Sequence, residues 1–394
     1  ERQAALRAFL ESRRAELRFR PQDEEPLLRE ILRLADGDNG DNADGDNDGD
    51  AALAPAFLLG LCLEHSARAM EPAHLPALLA RVARRVQEAA WEKIKEISDR
   101  QPENHQEPPA EAPGDAEVTS ELRPLMLWLA NATELLNLAQ GQVLELEKEL
   151  EAELDEPGQD ALLAADLETC DEALGVLDEV IMSTFQQCVY YLTKTLYATL
   201  PALLDSNPFA GPSEPCAAPP PDMLSPEAAS PGEVASASPS ASDAVSPDTP
   251  AGLQAPLRVF AGALRVARAC RLHPQLLSQT FGYLFFFCNA ALFNTLMERG
   301  AAGPFFQWAR AVRIRTNLDL LLDWLQAVGL GDIGAEFFRK LSATANLLCT
   351  PRGTLAKATW ARLRGDYPTL TPAQLHHVLS HYQLGPGRGY PECW

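Results

Sequence analysis

The chain has eight cysteines, Cys62, Cys170, Cys188, Cys216, Cys270, Cys288, Cys349 and Cys393, yet no C-x-x-C spacing among them. That excludes the common zinc-ribbon and thioredoxin-like patterns. Most sit inside apolar helical stretches, where a free thiol behaves as a small hydrophobe. The reading is a reducing compartment with no disulfide framework and no metal. No apolar run is long enough to span a bilayer. The longest, Phe281 to Phe293, is interrupted by Asn289 and falls short of the roughly 20 residues needed. The N-terminus is charged and helical in pattern, unlike a signal peptide. It begins with Glu1 rather than Met, which reads as an excerpt of a longer protein. A soluble, cytoplasmic chain with no transmembrane segment is expected.

Catalytic signatures are also missing. There is no G-x-S-x-G, no P-loop and no H-E-x-x-H. No stretch shows useful β-alternation. No Lys or Arg occurs between residues 205 and 256. That stretch is rich in Pro, Ser and Ala and cannot build a core, so a disordered connector is expected there. Its Ser-Pro and Thr-Pro pairs at Ser225, Ser230, Ser238, Ser246 and Thr249 are candidate phosphorylation sites.

What is present is helical. Of the 394 residues, 46% are hydrophobic, enough for a sizeable core. Leu6, Phe9, Leu10 and Leu17 fall on or near one stripe, and Pro26 suits a first helical turn. Leu75, Leu79, Val82, Val86, Trp91 and Ile94 mark a long amphipathic helix. Residues 99–117 hold four prolines and no large apolar residue and read as a loop. The acidic run from Leu144 to Asp160 reads as a solvated excursion. A helix ending near Pro201 follows, and after the connector the helices resume. Thr371 before Pro372, with Gln374 three positions on, predicts a capping box. The fold class is all-α, a large multi-helix bundle. Its segments are an N-terminal helical extension (1–35), an acidic insert (36–50), a first helical region (51–204), the connector (205–256), a second helical region (257–384) and a tail (385–394).

Four features imitate chemical sites. Asp44, Asp46, Asp48 and Gly49 open like a calcium loop, but position 9 is Ala52 and position 12, which needs a bidentate Glu, is Pro55. An acidic surface insert is the reading. His376, His377 and His381 crowd one helix, with no carboxylate nearby to complete a zinc site. Gly385 to Gly389 follows no strand and opens no helix, so it is a tail rather than a phosphate cradle. Asn131 to Thr133 is a formal glycosylation sequon, but it lies in an apolar helix. No cofactor is expected.

Charge is uneven. From Leu257 to Trp394 there are 15 Lys and Arg against 7 Asp and Glu, leaving 18 against 48 elsewhere. The basic set Arg258, Arg265, Arg268, Arg271, Arg310, Arg313 and Arg315 suits an acidic peptide, a phosphorylated tail, a membrane surface or the acidic part of the same chain. Nucleic acid is disfavoured by the net charge of −22.

Two segments carry a family resemblance. Leu125 to Leu138, with Trp128, Asn131, Glu134, Leu135 and Leu136, resembles the Trp-x-x-Asn-x-x-Glu-Leu-Leu helix of dilute domains. Gln279 to Gly300, Arg310 to Leu325 and Leu370 to Gly385 resemble the later core and closing helix of that family. It includes the globular tail of class V myosins and the C-terminal part of afadin. The resemblance covers about Ala54 to Gly385, inserts aside. Within the family it points to Ras/Rap small-GTPase effectors. It implies a non-catalytic scaffold at endothelial cell–cell junctions and the perinuclear Golgi region, acting in angiogenesis and vasculogenesis and restraining Rho. Implied partners are junctional receptor tails or Rho-regulatory scaffolds, with a homo-oligomer open. The GTPase would be held by a Ras-association domain outside this chain. The alternative is a cargo-binding tail of a cytoskeletal motor or an actin-junction adaptor. No binding residues carry over, because cargo surfaces differ among members.

Overall fold

A computed structural model describes residues 17–36, 52–100, 115–153, 160–209, 245, 249–300 and 304–383. The described residues are helical and contain no strand; one isolated parallel bridge joins Gln307 and Gln383. The chain divides into two compact units. Unit 1 draws on Glu1–His105, Ala116–Tyr191 and Arg265–Leu277; unit 2 draws on Gln106–Asp115, Leu192–Leu264 and Ser278–Trp394.

In unit 1, a single 3₁₀ turn (Pro21–Asp23) leads into α1 (Glu24–Asp36), followed by α2 (Ala54–Ala69), α3 (His74–Arg100), α4 (Asp115–Glu153, from Ala116) and α5 (Asp160–Thr199, to Tyr191). Leu28 and Ile31 of α1 enter the same core as Leu59 and Leu63 of α2, Leu79, Val82 and Val86 of α3, Trp128 and Leu135 of α4, and Leu177 of α5. The described part of the expected N-terminal extension therefore contributes Leu28 and Ile31 to the core. The α3 stripe holds to Val86 and then drifts. Ala90 and Ile97 are buried, Trp91 is 49% exposed and Ile94 is half-buried. A helix turns 3.6 residues at a time, so one turn after Val86 the inward position falls on Ala90, not on the larger neighbour.

Three expectations on element bounds change. The loop expected over 99–117 is shorter at both ends, because α3 reaches Arg100 and α4 starts at Asp115. The acidic run expected to leave the fold instead continues α4 as far as Glu153, making it 39 residues long; residues 154–159 lie outside the described residues. Glu and Lys are good helix formers, and Glu145 pairs with Lys148 one turn on. The connector ends earlier than expected, because α7 starts at Ala251 with Pro256 inside it. Leu253, Leu257 and Phe260 are all buried at helical spacing, and that burial outweighs the hydrogen bond Pro256 cannot make.

Unit 2 contains α6 (Pro201–Asp205), α7 (Ala251–Ala269, to Leu264), α8 (Pro274–Gly300, from Ser278), α9 (Trp308–Ala327), α10 (Gly331–Phe337), α11 (Arg339–Cys349), α12 (Arg352–Leu355), α13 (Trp360–Asp366) and α14 (Pro372–Ser380). Its centre is aromatic. Phe285 meets Phe260, Phe281 and Phe338 at ring-centroid distances of 5.4, 5.8 and 5.7 Å. Helix α9 packs on α6, α10 and α11. By length and composition α8 could cross a membrane, but half of its apolar window is buried within the fold. Phe281, Phe285, Cys288, Leu292 and Leu296 account for that apolarity as core. The expected capping box is present: Gln374 N–H donates to Thr371 Oγ1, and Thr371 N–H donates to Gln374 Oε1.

Candidate interaction surfaces

Three buried asparagines hold the ends of helices that cannot cap themselves. The N-cap residue of α2 is Leu53, which has no side-chain acceptor. Asn131 on α4 supplies one: its Oδ1 accepts from Ala56 N–H at 3.0 Å, and its Nδ2 donates to Ala52 O at 2.8 Å and Leu127 O at 2.9 Å. The N-cap of α11 is Phe338, and Asn289 Oδ1 on α8 accepts from Leu341 N–H at 3.1 Å. At the C-terminal end of α6, Asn317 Nδ2 on α9 donates to Leu203 O and Ser206 Oγ, both at 3.0 Å. These contacts satisfy terminal backbone groups that would otherwise be buried unpaired. The sequon asparagine and the residue interrupting the longest apolar run are therefore both structural. Neither role has a local signal, since the helix end each one holds lies 52 or more residues away.

A second polar assembly joins α1, α2 and α3 in unit 1. Ser66 Oγ lies 2.7 Å from His74 Nδ1, His74 Nε2 lies 3.1 Å from Glu24 Oε2, and Glu24 Oε1 receives Arg81 at 2.6 Å. The order Ser–His–Glu imitates a nucleophile relay. Ser66, however, is only 1% exposed in a helix, so no substrate reaches its hydroxyl. The assembly satisfies polar groups drawn into the core rather than activating a nucleophile.

The basic set is divided between the units. Arg265, Arg268 and Arg271 belong to unit 1, and each already engages a partner group. Arg258, Arg310, Arg313 and Arg315 belong to unit 2. There Arg258 donates to Gln254 Oε1 at 3.0 Å, Arg310 meets Asp205 at 3.3 Å, and Arg315 chelates Asp319. Arg313 is half-buried. Most of these charges are committed within the fold.

Of the candidate phosphorylation sites, Ser225, Ser230, Ser238 and Ser246 lie outside the described residues, as do the Asp44–Gly49 stretch and Gly385–Gly389. Thr249 sits at a bend before α7, its carbonyl accepting from Gln254 Nε2 at 3.0 Å. His377 Nε2 contacts Met297 O at 3.1 Å, and His381 Nδ1 contacts His377 O at 2.8 Å, so both rings are occupied by backbone carbonyls. Among the described residues no group of three His, Cys, Asp or Glu is placed to hold a metal. Burial raises the thiol pKa of Cys62 to about 12 and those of Cys170 and Cys349 to about 11, and it pushes Cys188 and Cys288 upward as well. Such thiols are packing groups rather than nucleophiles.

Unit 2 offers a cleft of about 320 Å³ lined by Leu322 of α9, Ala335 of α10, Arg339, Ser342, Ala343 and Asn346 of α11, and Asp366 to Thr369 after α13. Sequence reasoning missed it. Its polar residues form no recognisable motif, and the only hint is Ser342 and Asn346 at a spacing of four on an amphipathic helix. Elsewhere in unit 2, Tyr283 and Phe286 on α8 and Tyr197 at the end of α5 are more than half exposed, and Tyr197 meets Phe287 at 6.4 Å.

Residues 279–386 match the DIL domain, the range that holds the expected later-core and closing-helix segments Gln279–Gly300, Arg310–Leu325 and Leu370–Gly385. Over its whole length it is similar to Ras-interacting protein 1, at 58% identity over 395 residues to the proteins of Mus musculus and Homo sapiens. It spans 38% and 37% of the length of those relatives. It is 36% identical over 379 residues to the Ras-associating and dilute domain-containing protein of Homo sapiens, covering 96% of this chain and 32% of that one. The apo structure of Myo2-GTD shares the helical fold, with a TM-score of 0.54 at 19% identity, covering 92% of this chain and 77% of that one.

Proposed function

We propose that this chain is a non-catalytic protein-interaction domain of a Ras- or Rap-type GTPase effector. The observation that supports it most is the 58% identity to Ras-interacting protein 1 along the whole chain. The fold agrees with the reading: a helical scaffold whose buried polar groups are spent on capping and stitching helices, with exposed aromatics and an open cleft left for partners. On this reading the domain sits in the cytoplasm at endothelial cell–cell junctions and in the perinuclear Golgi region. It binds junctional receptor tails or Rho-regulatory scaffolds and restrains Rho during angiogenesis and vasculogenesis. The GTPase is captured by a Ras-association domain elsewhere in the protein. The test is direct binding of purified chain to GTP-loaded Rap, beside a quantitative pull-down from endothelial lysate. No binding to Rap and enrichment of junctional or Rho-regulatory proteins are expected. Tight GTP-dependent binding to the isolated chain would contradict the division of labour.

A second reading is a cargo-binding tail of a motor. Its support is the 35% identity over 99 residues to Myosin-2 of Saccharomyces cerevisiae. Enrichment of vesicle cargo rather than junctional proteins would favour it.

A further inference from the structure

We propose that the outward face of α8 in unit 2 is a self-association surface, and that it takes a second copy of this chain, packed antiparallel across a two-fold axis. From Pro274 to Met297 the sequence holds no Asp, Glu, Lys, Arg or His. One side of this helix is core, through Phe281, Leu284, Phe285, Cys288 and Leu292. The other side faces solvent. Gln279, Tyr283, Phe286 and Asn294 are exposed, Phe287 and Ala290 are half-buried, and all six fall within a stripe about 100° wide. Tyr283 is 55% exposed and Phe286 57%. Tyr197 of α5, itself 67% exposed, meets Phe287 at 6.4 Å and widens the face. The solvent side of a helix ordinarily carries charged residues. This one runs about 22 Å from Gln279 to Asn294 with none.

Charge selects the occupant. The chain carries a net charge of −22, so two copies repel where their acidic surfaces meet, and an uncharged face is where they can approach. The polar groups of the stripe are the Gln279 and Asn294 amides and the Tyr283 hydroxyl. Each is both donor and acceptor, so the face complements itself, as a two-fold contact requires. The order of residues suits the same pairing. An antiparallel pair crossing between Phe286 and Phe287 sets Gln279 against Asn294, Tyr283 against Ala290 and Phe286 against Phe287 of the other copy. Amide then meets amide, a large ring meets a small side chain, and ring meets ring. A phosphate or an acidic tail needs cations, which this stripe lacks, and an anionic membrane repels a chain of this charge. Area sets the strength. Three rings, each more than half exposed, offer roughly 300 Å² per copy, against about 800 Å² per partner in a stable complex. The association is therefore weak, with Kd on the order of 10 µM.

The test is sedimentation velocity of the whole chain from about 1 to about 200 µM. The wild type is expected to shift from monomer toward dimer across that range. Phe286→Glu and Phe286→Lys each set like charges against one another across the two-fold axis, and each should weaken self-association at least about tenfold. An equimolar mixture of the two variants should associate again, because the charges then oppose. Position 286 is exposed, and circular dichroism would verify that both variants fold. A wild type that stays monomeric at about 200 µM, a dimer unchanged by Phe286→Glu, or a mixture that stays monomeric would overturn the proposal. Each of these outcomes leaves the interaction-domain reading intact. Flotation of a monomeric wild type with neutral phosphatidylcholine vesicles, lost in Phe286→Glu, would give the face to a membrane and overturn the proposal as well.

Discussion

Asn131 Oδ1 accepts a hydrogen bond from Ala56 N–H across 75 residues of sequence, at 3.0 Å, in a site where Asn131 is 2% exposed. One amide thereby fixes the start of α2 against α4. Replacing it with Ala leaves the buried Ala56 N–H and the part-buried Ala52 O without their partner. Asn131→Ala should cost about 1–3 kcal/mol, mostly for the unmet buried N–H, read as a lower urea midpoint with an unchanged m-value. Asn131→Asp keeps the acceptor but loses the donor to Ala52 O and Leu127 O, and should be no more stable than the alanine variant.

Gly300 closes α8 where an added Cβ would lie 2.3 Å from the ring of Phe306. Phe306 is itself fully buried and cannot swing away. Gly300→Ala is expected to destabilise unit 2 by about 1–3 kcal/mol, the usual range for overpacking. Gly300→Ala combined with Phe306→Leu should recover part of that loss, which thermal melts of the two variants would show.

Arg271 has φ of +55°, the left-handed conformation that ends α7. Leu272 N–H reaches back to Ala267 O at 2.9 Å. Gly329 ends α9 in the same way, with Leu330 N–H on Leu325 O at 2.8 Å. Arg271→Gly and Arg271→Ala both remove the side chain, but only glycine relieves the backbone. The glycine variant should be the more stable by about 1 kcal/mol. Equal melting temperatures would mean that the turn is not strained.

The buried thiols give a pH prediction. In the folded chain Cys62 titrates near 12 and Cys170 and Cys349 near 11, against the ordinary value of 9.0. Above pH 9 the unfolded chain loses these protons while the folded chain keeps them. The unfolded state then binds fewer protons, so stability falls as pH rises from 9 toward the folded values. Denaturation at pH 8 and pH 10 should show the drop, and Cys62→Ala with Cys170→Ala should make it shallower.

The helical class, the capping box at Thr371 and the dilute resemblance were readable because each rests on local pattern. Periodicity, a cap three residues from its partner, and the Trp128–Asn131–Leu135 spacing all lie within one helix. What the sequence hid was long-range. Asn131 looked like a stray sequon and Asn289 like a flaw in an apolar run, because their partners lie in other helices. The start of α7 was missed because Pro and Ala composition masked the Leu253–Leu257–Phe260 stripe. The arginine set looked like one patch, but its members fall in two units and most already have partners. The cleft could not be read at all, since Leu322, Asn346 and Thr369 meet only through tertiary packing.

Crosslinking mass spectrometry of the full chain in endothelial lysate tests the central claim most directly. Crosslinks from unit 2 to junctional receptor tails or Rho-regulatory scaffolds, lost in a competitor experiment with excess unlabelled chain, are the predicted result. Crosslinks no more abundant than on an unrelated helical protein would contradict a protein-interaction domain.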